Sequence, residues 1–501
     1  MKYAPLHIHT EYSTSDSIIK ISDMYNFLAQ NNMHSFAITD HGTMSGCAEM
    51  FTVKEELLSQ IQDTELKSKI GKIKPIVGCE FYTCKDILKE RSLHSNIYHL
   101  ILLAKNKIGY KNLCILNSIA WIKGHFCRPR IDNKILEQYK DGLICLSACI
   151  QGEVAKKFLA GNKKEATETA KFYKNLFGED YYLELQDNGL EEQKQVNEFL
   201  LELSKELNIK TVVTNDAHYL RKTDADAHDT MMCIAYDWEK ENPNRFKFPN
   251  DDFYIKTPEE LKQAFSWMDE ELFNNSINAT VEIANKCNFK IDEEFGKFKD
   301  YLPKYPCPND LSDIDYLNEL CKKGLKEKYS NAIPETVMNR YKHEMELVSK
   351  NDIASYFLLI WDILKYAKRQ EINFEQPNGM ISNSIIAYIL GIINKEPTSD
   401  INSFNNYNIS IKIAKDRYCQ VFDYIVEKYG ENKTALVVSP NEEDDPMNIG
   451  VIIAKNPIME ILPLKQLACR DIAAQYSKEI IEKIGLFKID FVRSETITNI
   501  S

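Results

Sequence analysis

The stretch Leu6-His7-Ile8-His9-Thr10-Glu11-Tyr12-Ser13-Thr14-Ser15-Asp16 decides how this chain reads. In an extended strand alternate side chains share a face, so His7 and His9 point the same way. Six more apolar runs follow: "SFAITD" from Ser35, "KPIVGCEFY" from Lys74, "YHLILLA" from Tyr98, "GLICLSA" from Gly142, "YYLELQ" from Tyr181 and "KTVVTND" from Lys210. Helical spacing fills most of the gaps. In "ISDMYNFLAQNN" from Ile21, Ser22 is placed to cap, and Met24, Phe27 and Leu28 share a face. "LEEQKQVNEFLLELSKEL" from Leu190 is a second such helix. About seven strands with helical crossovers predict a parallel sheet in an α/β fold, most simply a closed β/α barrel.

Barrels of this kind carry their chemistry where strands end. Here those ends hold His7 and His9, Asp40 and His41, Glu80, Cys149, and Asp216 and His218, all side chains able to ligate a metal. A lone His-x-His or a lone buried cysteine is ordinary packing. Five strands delivering such groups to one end of one barrel is a coincidence that favours a metal site. His99 begins its strand, so the same rule does not select it.

Imidazoles mixed with carboxylates and a thiolate suit zinc or manganese better than magnesium, which prefers oxygen shells. So many donors can hold two or three divalent ions, with Glu80 as a bridge. Such clusters acidify water and clamp phosphate oxygens, which makes phosphoester hydrolysis the natural reaction class. From the residues alone, hydrolysis of another ester or an amide remains open.

The bulk composition is that of a globular protein of several domains: 501 residues, 44% hydrophobic, 27% charged. A formal charge of −12 argues against a protein that coats nucleic acid without specificity. With no apolar leader and no run long enough to span a bilayer, a cytoplasmic protein without a membrane partner is expected. The 13 cysteines lack framework spacing and read as reduced.

The motifs in order are "HIHTEYSTSD", "AITDHG", "GCEFY", "YHLILLAKNKIGYKNL", "RPRID", "LSACIQGE" and "TNDAHYL". "DADAHDTMMCI", "FYIKTPEEL", "EIANKCNFKI", "YLPKYPCP", "DYLNELCKKGLKEKY" and "ASYFLLIWDILKYAK" follow them. This series resembles the front part of bacterial DNA polymerase III alpha subunits, which opens with a PHP (polymerase and histidinol phosphatase) domain. The resemblance implies a distorted (β/α)7 barrel over residues 1–285 holding up to three metal ions. Its ligands would be His7, His9, Asp16, His41, Glu80, His99, Cys149, Asp216 and His218, and Asp16 and His99 enter only through the resemblance. Asp16, Glu80 and Asp216, with water held by the ions, are the expected catalytic carboxylates. The implied activity is that of a phosphoesterase or 3′–5′ exonuclease acting on DNA or other phosphoesters. The implied partner is a proofreading or replisome subunit. Two departures are Ser17 in place of a glycine and Asn188 in place of a histidine.

The resemblance weakens over residues 286–501, expected to be a mainly helical and α+β polymerase remnant. The family's Gly-Pro-Gly-Arg-Gly-Ser phosphate loop corresponds to "EQPNGMISNS" from Glu375, where only Gly379 and Ser384 fit. Lost glycines restrict backbone approach to phosphate, and Glu375 and Asn378 replace a glycine and the arginine. The palm's Pro-Asp-x-Asp-x-Asp-Phe strand corresponds to "YNISIKI" from Tyr407, with Asn408, Ser410 and Lys412 at the aspartate positions. Only Asp490 of "KIDFV" keeps a carboxylate. Two-metal nucleotidyl transfer needs acidic ligands, so polymerase activity and magnesium binding are not expected there. The join at "NEEDDP" (441–446) looks collapsed, and the chain ends before the family's fingers, clamp-binding and OB-fold parts, so a truncated remnant is expected. "FCRPRID" from Phe126 and "NRFKFPN" from Asn244 read either as nucleic-acid contacts or as solvated loops. A working polymerase and a non-catalytic replisome-binding module or decaying gene copy are the alternative functions.

Overall fold

The computed structural model describes residues 2–92, 95–330, 332–404, 407–438, 448–468, 471–494 and 497. The "NEEDDP" stretch lies outside them. The chain divides into two compact units, residues 1–293 with 462–464, and residues 294–461 with 465–501.

The first unit is built on a curled seven-stranded sheet: β1 (Ser35–Ile38), β2 (Lys74–Cys84), β3 (Tyr98–Ala104), β4 (Arg130–Asp132), β5 (Leu143–Leu146), β6 (Tyr181–Gln186) and β7 (Lys210–Thr214). The order is β1-β2-β3-β5-β6-β7, with β4 beside β2. The residues Pro5–His9 make no regular strand. Their backbone instead bridges the two ends of the sheet: Ala37 N donates to Pro5 O and Thr39 N to Ile8 O, while His9 N donates to Ala217 O just past β7. The result is the distorted α/β barrel expected of a PHP domain.

The sheet is mixed rather than parallel. β3 runs antiparallel to both β2 and β5, whereas β1/β2, β5/β6 and β6/β7 are parallel. The strand rhythm could not reveal this, because the described residues between β2 and β3 form no helix. The reversal accounts for His99. The start of an antiparallel strand lies beside the ends of its neighbours, and His99 pairs with Tyr82, two residues beyond Glu80.

The barrel interior is apolar, with Leu6, Ala37, Ile76, Ile101, Ile144, Tyr182 and Val212 in one buried cluster. The helix Glu270–Lys286 adds Ala279, Ile283 and Ala284 to it. Asp269 caps that helix by accepting from Glu271 N and Leu272 N. The helix Ile21–Gln30 buries Met24, Phe27 and Leu28 as expected, but its cap is Lys20 and Ser22 lies inside the first turn. A shift of two residues at a helix end is common.

The second unit mixes helices with a sheet of β8 (Asn378–Gly379), β9 (Ile409–Ala414), β10 (Thr434–Val437), β11 (Asn448–Ile453), β12 (Leu464–Gln466), β13 (Ile472–Ala474) and β14 (Lys488–Ser494), in the order β12-β13-β10-β11-β14-β9-β8. Among the described residues no helix is long and apolar enough to cross a membrane.

Candidate metal centre

Nine side chains expected to act together meet around one cleft at the strand ends of the first unit. Three overlapping groups have donor atoms mutually within 4.8 Å: His9, His41 and His218; His7, His9 and Asp216; His41, Glu80 and His99. Asp16 joins through His41, whose Nε2 is 2.9 Å from Asp16 Oδ2. Cys149 lies at the margin, its Sγ 3.7 Å from His99 Nδ1. Asp40, the other acid at the end of β1, does not face the cleft. It accepts from Thr10 N, Thr10 Oγ1 and Ser13 Oγ, and so holds the loop that carries Asp16.

The histidines are oriented from behind. His7 Nδ1 donates to Glu184 Oε1 at 2.6 Å, His9 Nδ1 to Ser13 Oγ at 3.0 Å, and His218 Nδ1 to its neighbour's carbonyl, Asp216 O, at 2.9 Å. These partners place a proton on Nδ1 in all three rings and direct Nε2, the atom a metal would take, toward the cleft. Ser13 passes its own hydrogen to Asp40, 2.8 Å away, which completes a chain from His9 back to a buried carboxylate.

Glu184, on β6, was not among the expected residues. It is buried and also accepts from Gln186 Nε2 and Thr214 Oγ1. The sequence signal for it is weak: a glutamate in the apolar run "YYLELQ" facing the same interior as His7.

The two departures from the family pattern have visible roles. Ser17 Oγ is 2.6 Å from His9 O and 2.8 Å from His218 O, joining two segments that carry cleft residues. Asn188 exchanges side-chain bonds with the loop before Asp216, donating to Asn215 O and accepting from Asn215 Nδ2. Strained backbone flanks the cleft as well. Ser15, Ala148 and Asp216 have φ of 68°, 63° and 50°, a region that side-chain-bearing residues seldom occupy.

The electrostatics fit divalent ions. Glu80 Oε1 and Oε2, Asp216 Oδ1 and His41 Nδ1 are buried without a well-formed hydrogen bond, although short nitrogen–oxygen approaches surround them. Donor atoms that converge on common points instead of pairing are what a cation needs. His7 Nε2 and His9 Nε2 face each other at 3.2 Å, so either a proton on one of them or a cation between them is needed. Burial and the neighbouring His41 and His218 push His9 down to about 3. Burial opposes charge on His7 too, but Asp216 and Glu184 outweigh it and raise its pKa well above the ordinary value. Burial likewise opposes the charge on Glu80, yet His99 and His41 hold it well below the usual carboxylate range. Burial, Asp216 and Glu80 push the Cys149 thiol up, so it would become a ligand only beside a strong positive charge.

The palm-like strands of the second unit present a different picture. β14 pairs with β9 in parallel, with Asp490 opposite Ser410 and Val492 opposite Lys412. Asp490 has two ammonium partners, Lys488 Nζ at 2.5 Å and Lys478 Nζ at 2.8 Å. Lys412 pairs with Glu375 at 3.2 Å. Ahead of the short helix Ile385–Ile389, the buried Glu344 accepts from Ser384 Oγ, Ile385 N and Ile386 N.

Comparison with known proteins agrees with both halves of this description. The PHP domain family matches residues 5–188, and the family described as bacterial DNA polymerase III alpha NTPase domain matches residues 315–443. The DNA polymerase III subunit alpha of Borreliella burgdorferi is 32% identical over 99% of this chain and 49% of its own length. That of Treponema pallidum is 30% identical over 99% and 48%, and that of Campylobacter jejuni 32% over 97% and 41%. The chain thus spans about half the length of the curated relatives it matches. Solved structures of a proposed metal-dependent phosphoesterase from Bifidobacterium adolescentis and an amidohydrolase from Chromobacterium violaceum, each 13% identical, reach TM-scores of only 0.28 and 0.25. They cover 54% and 43% of this chain, and 98% and 88% of their own. Residues 5–188 thus match the PHP domain family and residues 315–443 the bacterial DNA polymerase III alpha family, and the chain is similar along its length to the front part of bacterial DNA polymerase III alpha subunits.

Proposed function

We propose that the first unit is a metal-dependent phosphoesterase, acting on DNA as a 3′–5′ exonuclease or on related phosphodiesters. The PHP barrel is assigned residues 1–285 and the polymerase-like region 286–501. One observation carries the reading: His7, His9 and His218 turn Nε2 into a cleft shared with Glu80 and Asp216, while protein acceptors hold each Nδ1. The proposed ligands are His7, His9, Asp16, His41, Glu80, His99, Cys149, Asp216 and His218. Zinc or manganese, two or three ions, suits this nitrogen-rich set.

Divalent ions bound there supply Lewis-acid charge that acidifies water and neutralises phosphate oxygens. The chain's own part is positional. Glu80 and Asp216 are buried carboxylates held between histidines, so their orientation costs no rearrangement when substrate arrives. Asp16, His41 and His99 are the more exposed members, with side chains 28%, 15% and 17% accessible, and they form the side from which a phosphate would enter. Asp16 is the carboxylate best exposed to take the proton of an attacking water.

Polymerase activity is proposed to be lost. Asn408, Ser410 and Lys412 bring no carboxylate to the palm strand, and the one that remains, Asp490, is engaged by two lysines. The buried carboxyl group of Glu344 accepts from the N–H groups of Ile385 and Ile386, the first two residues of the helix Ile385–Ile389. The partner proposed for the barrel is a proofreading or replisome subunit. A reducing, cytoplasmic setting accords with the unpaired state of the described cysteines.

The test is to incubate metal-loaded protein with single-stranded DNA and with a chromogenic phosphodiester. Hydrolysis abolished by His9→Ala and Asp216→Ala supports the reading. No hydrolysis by protein with metal verified in the site defeats it.

A further inference from the structure

Beside the centre, in the same unit, lies a cavity of about 300 Å³ lined by Tyr219, Ala225, His228, Lys247 and Phe248 among others. Its walls are built on the centre itself. His228 Nε2 donates to Asp16 O at 2.8 Å, and the Phe248 ring lies 5.0 Å from the His218 ring. Two residues of its wall therefore touch two of the proposed ligands.

Its character is aromatic and close to neutral. Phe248 stands edge-on to His228 at 4.9 Å, and Tyr219 lies 5.2 Å from the same imidazole. Three aspartates reach the lining, but each has a cationic partner: Asp226 with Lys240 at 2.7 Å, Asp229 with Arg245 at 2.6 Å, and Asp251 with Lys222 at 3.4 Å. A phosphate gains nothing there. A flat, uncharged ring with polar edges fits both the aromatic walls and the carboxylate acceptors. At the mouth, Lys247 is exposed and has no ion pair among the described residues. Phe246, 59% exposed, lies 5.8 Å from Phe248 and extends the aromatic surface outward. An exposed cation next to aromatic rings is the pattern that grips single-stranded nucleic acid, with charge for the backbone and rings for the bases. The volume stands at the lower end of small-ligand pockets, enough for one base with its sugar.

We propose that this cavity is the base subsite of the centre: it receives the terminal base of a single-stranded oligonucleotide, with Lys247 on the adjoining backbone phosphate. The inference rests on the phosphoesterase reading for its purpose, but its test separates the two. Ala225 lines the cavity and is not among the proposed ligands, so Ala225→Phe fills the space, and Lys247→Ala removes the charge. The first measurement is fluorescence of a single-stranded oligonucleotide carrying 2-aminopurine at its 3′ end, titrated with protein in EDTA and again with manganese. Stacking quenches that base. The expected result is quenching by the wild type and about ten-fold weaker binding by either variant, the size expected for losing one stacked base. The second measurement compares the p-nitrophenyl ester of thymidine monophosphate with methyl p-nitrophenyl phosphate, which has no base. Ala225→Phe should raise KM about ten-fold for the first and leave the second unchanged. No quenching by the wild type, or equal effects of Ala225→Phe on both esters, would overturn the subsite. If neither ester is hydrolysed, the enzymatic reading fails while the quenching experiment still decides the cavity.

Discussion

His7 Nδ1 and Glu184 Oε1 are 2.6 Å apart with neither side chain exposed to solvent. The glutamate is no member of the converging donor set, yet it fixes the tautomer of one that is. Glu184→Gln keeps the shape and can still accept from His7, but it removes the charge that makes the imidazole a stronger donor to metal. Metal affinity should fall by about 10- to 100-fold, the range for lost partners behind a ligand. Titration with a chelator as competitor measures this, and circular dichroism should find the fold intact. Unchanged affinity in a folded variant would remove Glu184 from the design.

Removing metal should lower stability. Buried carboxylates and histidines that converge without pairing are costly until a cation satisfies them. A ligand at about 100 times its Kd stabilises by about 2.7 kcal/mol. Thermal unfolding in EDTA and in micromolar zinc or manganese should therefore differ by several degrees. His9→Ala should abolish the difference. A melting temperature indifferent to metal in the wild type would contradict the centre.

The sequence carried much of the cleft and less of its logic. His7/His9 and Asp216/His218 were legible because alternation along an extended backbone fixes their common face. His99 was not, since its position depends on β3 running against its neighbours, and strand direction leaves no periodic mark. Asp40 read as a cleft residue by its place at a strand end, but hydrogen bonds to Thr10 and Ser13 turn it into a loop clasp. Leu6–Thr10 has strand composition, yet the backbone there bridges two sheet edges without making a regular ladder. Glu184 is one acid of many until the fold sets it behind His7.

Ser17 should contribute to stability as well as to geometry. Its hydroxyl lies between the carbonyls of His9 and His218, and the residue is buried. Ser17→Gly restores the family's usual residue but leaves those carbonyls without that donor and adds freedom to the unfolded chain. A loss of about 1–2 kcal/mol is expected in urea unfolding. No change would mean that water replaces the hydroxyl at no cost.

The end of the barrel away from the cleft supplies an acid-sensitive clamp. Glu282 meets Lys210 at 2.8 Å, Lys286 at 3.1 Å and the Tyr182 hydroxyl at 2.9 Å. Burial works against its charge, but Lys210, Lys286 and Tyr182 outweigh it and bring the carboxyl down to about 2 from 4.5. A depressed carboxylate binds its proton more weakly in the folded state. Its stabilisation is thus present above pH 4.5 and is lost as the pH falls toward about 2. Glu282→Gln should be less stable than the wild type at pH 6, and the gap should close by pH 2 to 3. A gap that stays constant across this range would show that the charge is not the source of the effect.

The strands β9 and β14 offer the sharpest contrast with the barrel. Asp490 and Ser410 are in register on adjacent parallel strands, so their side chains emerge on the same face. Lys488 and Lys478 already neutralise the one carboxylate present. Millimolar magnesium should therefore leave the unfolding of a metal-saturated wild-type protein unchanged, and primer extension should be undetectable. Ser410→Asp would set a second carboxylate beside the first, with two lysines shared between two acids. If register is what brings a cation site into being, that variant should acquire magnesium-dependent stabilisation while still failing to extend a primer, because Asn408 and Lys412 remain and Glu344 still claims the N–H groups of Ile385 and Ile386. Primer extension by the wild-type protein would refute the proposed loss of polymerase activity directly. Magnesium stabilisation of the wild type lost in Asp490→Asn would show that the lysines do not close the site.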